Sequence, residues 1–313
     1  MPDERDFIRR SSEMMAFYGR GDYASALAMT ERLAAEFPEE VARIAYWRIC
    51  LLTRLQKTEA ALGAFTGALE AGLWWSVSML GSDPDLEPLR ELPEYKRMAS
   101  ICARRQEAAQ MEVKSLLVVR EPAKAIKPYP VFISLHGQAG TAAATLDRWQ
   151  EACPPGWLVA AIQSSQLAWP DAFTWDDHEK AEKEVVDQFR TLCEQAPVDR
   201  SRVIVGGFSQ GAALAVGLVL TGSLPARGFL SVAPGSIEPK LLTGWVEAGH
   251  PHPVRGYLVA GGHDPRYEFF KQLYATLVDH GVPCEMEDHP DLAHEYPPHF
   301  KRSLKKAFRF LMS

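Results

Sequence analysis

Chemistry is easiest to recognise in the pentapeptide Gly207-Phe208-Ser209-Gln210-Gly211. A serine with glycines two positions before and two positions after it is typical of a sharp turn that exposes the hydroxyl as a nucleophile. Residues 202–205 before the motif are predicted to form a strand, and residues 210–215 after it a helix of small side chains. Larger side chains at the glycine positions would collide with that strand and helix. The pattern therefore predicts Ser209 as a nucleophile.

A serine hydroxyl needs a base to remove its proton, and the base needs an acid to orient it. Asp264 follows a predicted strand and the turn Gly261-Gly262-His263, and His294 follows one further predicted strand. Serine, acid and histidine in this order are typical of α/β-hydrolases. We therefore predict Asp264 as the acid and His294 as the base. His289, at the end of the last predicted strand, is the rival base.

Backbone N–H groups are predicted to bind the negative charge that develops on the attacked oxygen. Gln210 begins a helix directly after the nucleophile, where its N–H is available to such an oxyanion. The second donor is expected in the loop after an early strand, and 135–140 matches that position. Gln138 is the predicted donor, and Gly137 and Ala139 stay open as alternatives. His136 is interpreted as structural.

These residues need a sheet to position them, and the sequence pattern of residues 112–313 predicts such a sheet. Short apolar runs end in glycine-rich or polar turns and alternate with amphipathic segments, as in βα units. Nearly continuous apolar runs indicate buried parallel strands. The predicted fold class is thus α/β, an α/β-hydrolase with a mostly parallel central sheet flanked by helices. The predicted strands are 115–119, 131–135, 158–162, 203–205, 228–232, 256–259 and 283–287.

The composition changes near residue 105, so two domains are predicted, 1–105 and 106–313. The first part is rich in Ala, Leu, Glu and Arg and is predicted to be all α. Ala26 and Leu33 mark one helical hairpin, and Ala61 and Ala68 mark a second one about one repeat length later. This spacing resembles a tetratricopeptide repeat, with a plain helical cap as the alternative.

The catalytic part resembles the carboxylesterase/phospholipase family, which includes acyl-protein thioesterases. The resemblance rests on the motif 206–211, the His136-Gly137 loop and the His294-Glu295 pair, and it covers residues 112–313. It implies a metal-independent hydrolase of carboxylic esters or thioesters, without a cofactor, in which Ser209, Asp264 and His294 carry the reaction.

The sequence departs from this family in two places. Many relatives place a Val-Pro pair after the acid, where this chain has Pro265-Arg266-Tyr267-Glu268. The hydrophobic lid of the thioesterases is not evident between Leu167 and Asp177, so a lipidated protein is not the expected substrate. Trp169 and Trp175 in that segment are predicted to line the substrate pocket. The alternative is ordinary loop packing, with Asp176 or Asp177 capping a helix.

Composition narrows the location and the partners. A formal net charge of −6 gives no electrostatic reason to bind nucleic acid, because phosphate binding relies on clustered Lys and Arg. Five widely spaced cysteines without a metal-ligand pattern favour a reducing cytoplasm, and the N-terminus lacks the apolar segment of a signal peptide. No apolar run is long enough for a membrane span. A protein partner or self-association is expected through the helical domain.

The predicted function is a serine hydrolase that cleaves small carboxylic esters with short to medium acyl chains. The same triad also serves thioesterases and peptidases, so either is an alternative. A different alternative is a catalytically idle adaptor protein that binds peptides through its helical repeats.

Overall fold

The computed structural model describes residues 4–124, 126–249 and 253–313. The chain forms two compact units, Met1–Glu112 with Leu167–Pro170, and Val113–Gln166 with Asp171–Ser313. The predicted boundary at 105/106 falls inside a helix, Pro93–Gln110, because the change in composition precedes the end of that helix.

The first unit is helical. Its described α-helices are α1 Glu4–Gly19, α2 Tyr23–Glu36, α3 Val41–Arg54, α4 Thr58–Glu70, α5 Val77–Ser82 and α6 Pro93–Gln110, with 3-10 helices at Pro38–Glu40 and Pro84–Leu89. Asp22 begins α2, because its carboxylate accepts a hydrogen bond from the Ser25 N–H. Helices α1 and α2, and then α3 and α4, follow one another through short turns. The predicted helical character is confirmed, while the relation to tetratricopeptide repeats stays a prediction.

Small and apolar side chains make the core of this unit. Ala26, Leu33, Ala61 and Phe65 are buried, as the predicted spacing of the hairpins requires. The segment Leu167–Pro170 belongs to the same unit, where the Ala168 carbonyl accepts a hydrogen bond from the Ser76 N–H. A stretch distant in sequence thus completes the helical unit.

The second unit is built on a sheet. In chain order the described strands of the whole chain are β1 Leu116–Arg120, β2 Tyr129–Leu135, β3 Leu158–Gln163, β4 Gln166–Trp169, β5 Ala172–Thr174, β6 Val198–Phe208, β7 Gly228–Val232, β8 Arg255–Gly261 and β9 Cys284–His289, and all but β4 lie wholly in the second unit. Seven of them form the main sheet in the order β1-β3-β2-β6-β7-β8-β9. Strand β1 is antiparallel to β3, and the other five neighbouring pairs of the main sheet are parallel. All seven predicted strands are confirmed, whereas β4 and β5 were not predicted, since such short segments carry no periodicity.

Helices cover both faces of the sheet. They are α7 Ala142–Ala152, α8 His178–Gln195, α9 Gln210–Leu220, α10 Pro239–Glu247, α11 Tyr267–Asp279 and α12 Phe300–Leu311. Apolar side chains of α8, α9, α10 and α11 join one core cluster with the sheet. Those of α7 and α12 join a second cluster. Because both faces are buried, the strands are nearly continuous apolar runs, which confirms the predicted fold class.

The parallel strands deliver the predicted site residues to one edge of the sheet. The register pairs Leu135 at the end of β2 with Gly207 of β6, and Gly261 at the end of β8 with His289 of β9. The loops that follow these ends carry Gln138, Ser209, Asp264 and His294. None of the helices in the described part of the chain has the length and apolar character that a membrane span needs.

Candidate active site

Ser209 occupies a strained turn between β6 and α9. Its backbone has φ 53° and ψ −118°, in the left-handed half of conformational space that residues other than glycine rarely adopt. The surrounding backbone holds this conformation: the Ser209 N–H donates to the Val232 carbonyl at 3.0 Å, and the Ser209 carbonyl accepts from the Gly235 N–H at 2.7 Å. The hydroxyl is thereby presented beyond the end of the strand.

The glycines around Ser209 are required by close backbone contacts. A Cβ at Gly207 would lie 2.5 Å from the carbonyl carbon of Gly211. A Cβ at Gly211 would lie 2.3 Å from the carbonyl oxygen of His136, directly after β2. No side chain fits at such distances, so these two glycines let β6, α9 and the end of β2 approach one another.

The structure brings Ser209, His294 and Asp264 together. His294 Nε2 lies 2.9 Å from Ser209 Oγ, and His294 Nδ1 lies 2.5 Å from Asp264 Oδ2. The Asp264 side chain is fully buried, while 29% of the His294 side chain is exposed. The rival base His289 instead lies near Glu287, with 3.4 Å between His289 Nε2 and Glu287 Oε1.

Glycine also allows the loops after β8 and β9 to meet. A Cβ at Gly261 would lie 2.4 Å from the Leu292 carbonyl oxygen, and one at Gly262 would lie 2.5 Å from that of Pro290. The His263 N–H donates to the Leu292 carbonyl at 2.9 Å, so the backbone of His263 helps to build the turn. These contacts bring the loop of His294 against the loop of Asp264.

Asp264 is held as a carboxylate by several partners. Burial by itself raises the pKa of Asp264, but hydrogen bonding and charge from His294, together with the Arg266 N–H and guanidinium, outweigh burial and lower that pKa below its ordinary value. Arg266 Nε lies 3.4 Å from Asp264 Oδ1, and Arg266 Nη2 lies 2.9 Å from His294 Nδ1. Sequence reasoning noted Arg266 only as a departure from the family and assigned it no role.

The two predicted oxyanion donors belong to two segments that adjoin Ser209, the start of α9 and the loop after β2. Gln210 is the first residue of α9, so its N–H has no acceptor inside the helix. The other loop approaches closely, since a Cβ at Gly137 would lie 3.5 Å from Ser209 Cβ. Gln138 lies at the tip of this loop, in a turn closed by a 3.0 Å hydrogen bond from the Gly140 N–H to the Gly137 carbonyl. Their roles toward an oxyanion stay predictions.

The Gln210 side chain is held by the segment after β5, an arrangement that sequence reasoning missed. Gln210 Nε2 donates to Asp176 Oδ1 at 2.8 Å, and Gln210 Oε1 accepts from the Trp175 N–H at 2.9 Å. Thr174 Oγ1 also lies 2.7 Å from Asp176 Oδ1. Asp177, rather than Asp176, caps α8 by accepting from the Lys180 N–H. The two adjacent aspartates therefore have different partners.

The two tryptophans predicted to line a pocket lie in different surroundings. Trp175 is fully buried, stacks on His136 with 4.6 Å between the ring centroids, and donates from Nε1 to the His136 carbonyl. Such a side chain has no surface to offer a substrate, and we assign it to support of the His136 loop. Trp169 belongs to the first unit, where the Arg43 guanidinium lies 5.6 Å from its ring centroid. Its contact with substrate stays a prediction.

One group in the described part of the chain has spacing suitable for a metal ion: Cys50, Asp83 and Asp85 in the first unit. Its carboxylates already accept hydrogen bonds. The Tyr46 hydroxyl donates to Asp83 at 2.8 Å, and the Tyr18 hydroxyl lies 2.9 Å from both carboxylate oxygens of Asp85. Because protein donors satisfy these oxygens, we assign the group to packing of the helical unit.

His136 supports the loop of Gln138 as a neutral imidazole. Its Nδ1 donates to the Gly137 carbonyl at 2.8 Å, so its Nε2 carries a lone pair that accepts from the Ser164 N–H at 3.2 Å. Burial lowers the pKa of His136 to about 4, and the hydrogen bond to Gly137 offsets this only in part. A proton on Nε2 would also displace the Ser164 hydrogen bond.

His136 is therefore expected to make stability depend on pH. Because its pKa is lower in the folded state than the ordinary value of about 6.5, the unfolded chain binds more protons between pH 6.5 and 4, and stability falls as pH falls through that range. When the pH is lowered from 7 to 5, the free energy of unfolding of His136→Asn should decrease by about 2 kcal/mol less than that of wild type. Urea unfolding at both pH values measures this difference. Equal losses in His136→Asn and wild type would contradict the prediction.

The comparisons with known proteins agree with this architecture. Residues 134–312 match the family model described as Phospholipase/Carboxylesterase, and residues 7–110 match a model described as the N-terminal domain of A/B hydrolase-like proteins. No curated protein is significantly similar in sequence.

Among solved structures, an uncharacterized protein from Bacillus cereus ATCC 10987 is 27% identical, with a TM-score of 0.55, over 97% of this chain and 98% of its own. Esterase PE8 is 18% identical, with a TM-score of 0.52, over 64% of this chain and 99% of its own. The butyrate-bound esterase Est2 from the Planctomycetes species Thermogutta terrifontis is 16% identical, with a TM-score of 0.50, over 64% of this chain and 89% of its own. The last two show the α/β-hydrolase fold alone. Since the first family model covers more than half of the chain, this protein is a hydrolase that belongs to the phospholipase/carboxylesterase family.

Proposed function

We propose that the protein hydrolyses small carboxylic esters of short to medium acyl chains, through an acyl-enzyme formed on Ser209. The observation that carries this proposal is the continuous contact from Ser209 Oγ to His294 Nε2 and from His294 Nδ1 to Asp264 Oδ2. A buried carboxylate, a partly exposed imidazole and a hydroxyl in a strained turn form the arrangement that activates a serine.

The first half of the reaction acylates Ser209. His294 Nε2 takes the hydroxyl proton while Oγ attacks the carbonyl carbon of the ester, and the carbonyl oxygen becomes an oxyanion. The N–H groups of Gln210 and Gln138 bind that oxygen, and the N-terminus of α9 adds favourable potential. His294 then gives its proton to the leaving alcohol as the C–O bond breaks. In the second half, water attacks the acyl carbonyl in the same way and regenerates Ser209.

Asp264 and His294 must keep one protonation pattern during this cycle. His294 acts as a base only when its Nε2 lone pair faces Ser209, which places the ring proton on Nδ1. The Asp264 carboxylate at 2.5 Å accepts that proton in a hydrogen bond and stabilises the imidazolium that forms in the transition state. The lowered pKa of Asp264 favours this pattern, because it keeps the carboxylate ionised.

The direct test is hydrolysis of p-nitrophenyl esters from acetate to palmitate by the whole chain, with mass spectrometry of the protein after rapid quenching. We expect the highest kcat/KM on short to medium chains and an added acyl mass on the peptide that contains Ser209. Butyrate is a suitable first acyl group, since one structural relative was solved with it. Release equal to that in buffer for every ester would contradict the proposal, and preference for a matched thioester would select the thioesterase alternative.

Asp176→Ala is expected to lower kcat, whereas the neighbouring Asp177→Ala is expected to lower stability. Loss of the Asp176 carboxylate removes the acceptor of Gln210 Nε2 and loosens the backbone whose N–H faces the oxyanion, so kcat should fall about fivefold. Loss of the cap on α8 should cost about 1 kcal/mol and leave kcat near wild type. Ester kinetics and urea unfolding of both variants separate the effects. Equal kinetic losses would show that the segment acts only through its fold.

We further propose that the helical part is related to tetratricopeptide repeats, binds a protein partner or a second copy, and works in the cytoplasm. The two successive helical hairpins support the repeat relationship. The free thiols of Cys50, Cys102, Cys153, Cys193 and Cys284 support a reducing compartment. Light scattering of the purified chain, with and without residues 1–112, tests self-association.

A further inference from the structure

Arg266 contacts both members of the acid–base pair. Its Nη2 lies 2.9 Å from His294 Nδ1, and its Nε lies 3.4 Å from Asp264 Oδ1. Its backbone N–H donates to the same Oδ1 at 2.9 Å. The Arg266 side chain is one-third exposed, whereas the Asp264 side chain is fully buried. The only other group within hydrogen-bonding distance of His294 Nδ1 among the described residues is Asp264 Oδ2.

The contacts divide the two oxygens of Asp264 between two partners. A buried carboxylate needs a donor or a cation on each oxygen, because an unpaired buried charge is costly. For Oδ1, Arg266 supplies a donor through its backbone N–H and a cation through its guanidinium. Oδ2 is then left for His294, and rotation of the carboxylate would break the Arg266 contacts. The orientation of Asp264 is therefore tied to Arg266.

His294 Nδ1 has two neighbours but can make only one kind of hydrogen bond at a time. With a proton, it donates to Asp264 and its Nε2 accepts from Ser209, which is the productive pattern. Without a proton, it accepts from the Arg266 guanidinium, and an N–H faces Ser209 instead. The 2.5 Å contact with a carboxylate is shorter than the 2.9 Å contact with Arg266. Each contact has one ionised partner, and the shorter of the two is with the carboxylate, so the productive pattern is favoured as long as Asp264 is correctly oriented.

We propose that Arg266 is a positioning residue for the ester hydrolysis proposed above: it fixes Asp264 so that Oδ2 holds His294 in the tautomer with its proton on Nδ1. The role rests on the proposed function for its kinetic consequence, but the hydrogen bond between Asp264 and His294 that it orients exists without substrate. The residues on either side of Arg266 in the chain, Pro265 and Tyr267, offer no second cation that could hold Asp264.

Steady-state kinetics on p-nitrophenyl butyrate test the proposal with Arg266→Met and Arg266→Lys. Arg266→Met should lower kcat about tenfold with KM within about twofold, because the backbone N–H still holds part of Asp264. Arg266→Lys keeps the charge and should recover most of the loss. Lys271→Met, which removes a cation of α11 that pairs with Glu268, should keep wild-type kcat. Unchanged kcat in Arg266→Met, or a raised KM with kcat kept, would overturn the positioning role.

NMR that correlates each ring nitrogen of labelled histidine with its proton provides a second test, which does not depend on catalysis. The Nδ1-bound proton of His294, assigned by its loss in His294→Gln, should resonate further downfield in wild type than in Arg266→Met, because an Asp264 carboxylate that is no longer fixed accepts it in a weaker hydrogen bond. An unchanged resonance in Arg266→Met would overturn the proposal. Absence of ester hydrolysis by wild type would count against the proposed function alone, since the hydrogen bond between His294 and Asp264 is read independently. Urea unfolding of each variant verifies that the fold is retained.

Discussion

Ser209→Ala is expected to lower kcat for ester hydrolysis by about 10⁴- to 10⁶-fold, to a rate set by residual binding and the oxyanion donors. The substitution removes Ser209 Oγ, which lies 2.9 Å from His294 Nε2, so no acyl-enzyme forms. KM should change little, because the hydroxyl contributes to the transition state rather than to ground-state binding. Ester kinetics with enzyme at high concentration measure the remaining rate.

The interpretation requires that Ser209→Ala leaves the fold intact. Alanine adopts the strained φ of 53° no less easily than serine, and the backbone hydrogen bonds to Val232 and Gly235 do not involve the hydroxyl. Unfolding free energy should therefore stay within about 1 kcal/mol of wild type. Retention of more than about a hundredth of the wild-type kcat would contradict the assignment of Ser209 as the nucleophile.

Gly211→Ala is expected to destabilise the second unit by more than about 3 kcal/mol, although alanine is the better helix former by about 1 kcal/mol. The added Cβ would lie 2.3 Å from the His136 carbonyl oxygen and 2.6 Å from that of Leu135. Both atoms belong to backbone at the end of β2, which cannot swing aside as a flexible side chain does. The start of α9 must move instead, which separates the N–H of Gln210 from the loop of Gln138.

A second glycine substitution supplies the control. Gly244 lies in α10, and a Cβ there would meet no heavy atom within 4 Å. Gly244→Ala should therefore stabilise the protein by up to about 1 kcal/mol and leave ester hydrolysis unchanged. Urea unfolding and kinetics of both variants measure the contrast. Equal stability of Gly211→Ala and Gly244→Ala would show that the predicted collision relaxes without cost.

Features of the second unit that depend on local patterns could be predicted from the sequence. All seven strands of the main sheet were identified, because both faces are buried and each strand is a short apolar run between turns. The glycines of the Ser209 turn were interpreted correctly as steric requirements. Ser209, Asp264 and His294 were selected by their order after predicted strands, and parallel strands bring such residues to one edge of the sheet.

Other features depend on contacts between loops that are distant in sequence. Trp175 has the composition of a pocket residue but lies behind the His136 loop, and Asp176 and Asp177 are adjacent yet bind different partners. The end of α6 at Gln110 and the place of Leu167–Pro170 in the helical unit were likewise not evident from the change in composition. No periodicity reports such contacts.

By itself, the sequence determined the class of fold and the order of the strands along the chain, and it predicted a nucleophile from a five-residue motif with two glycines. The tertiary structure alone decided that the guanidinium of Arg266 lies against Asp264 and His294, and that Asp176 holds Gln210. The physical reason is that a turn or a strand is encoded by neighbours in the chain. The partner of a polar side chain is decided instead by where separate loops meet once the sheet has formed.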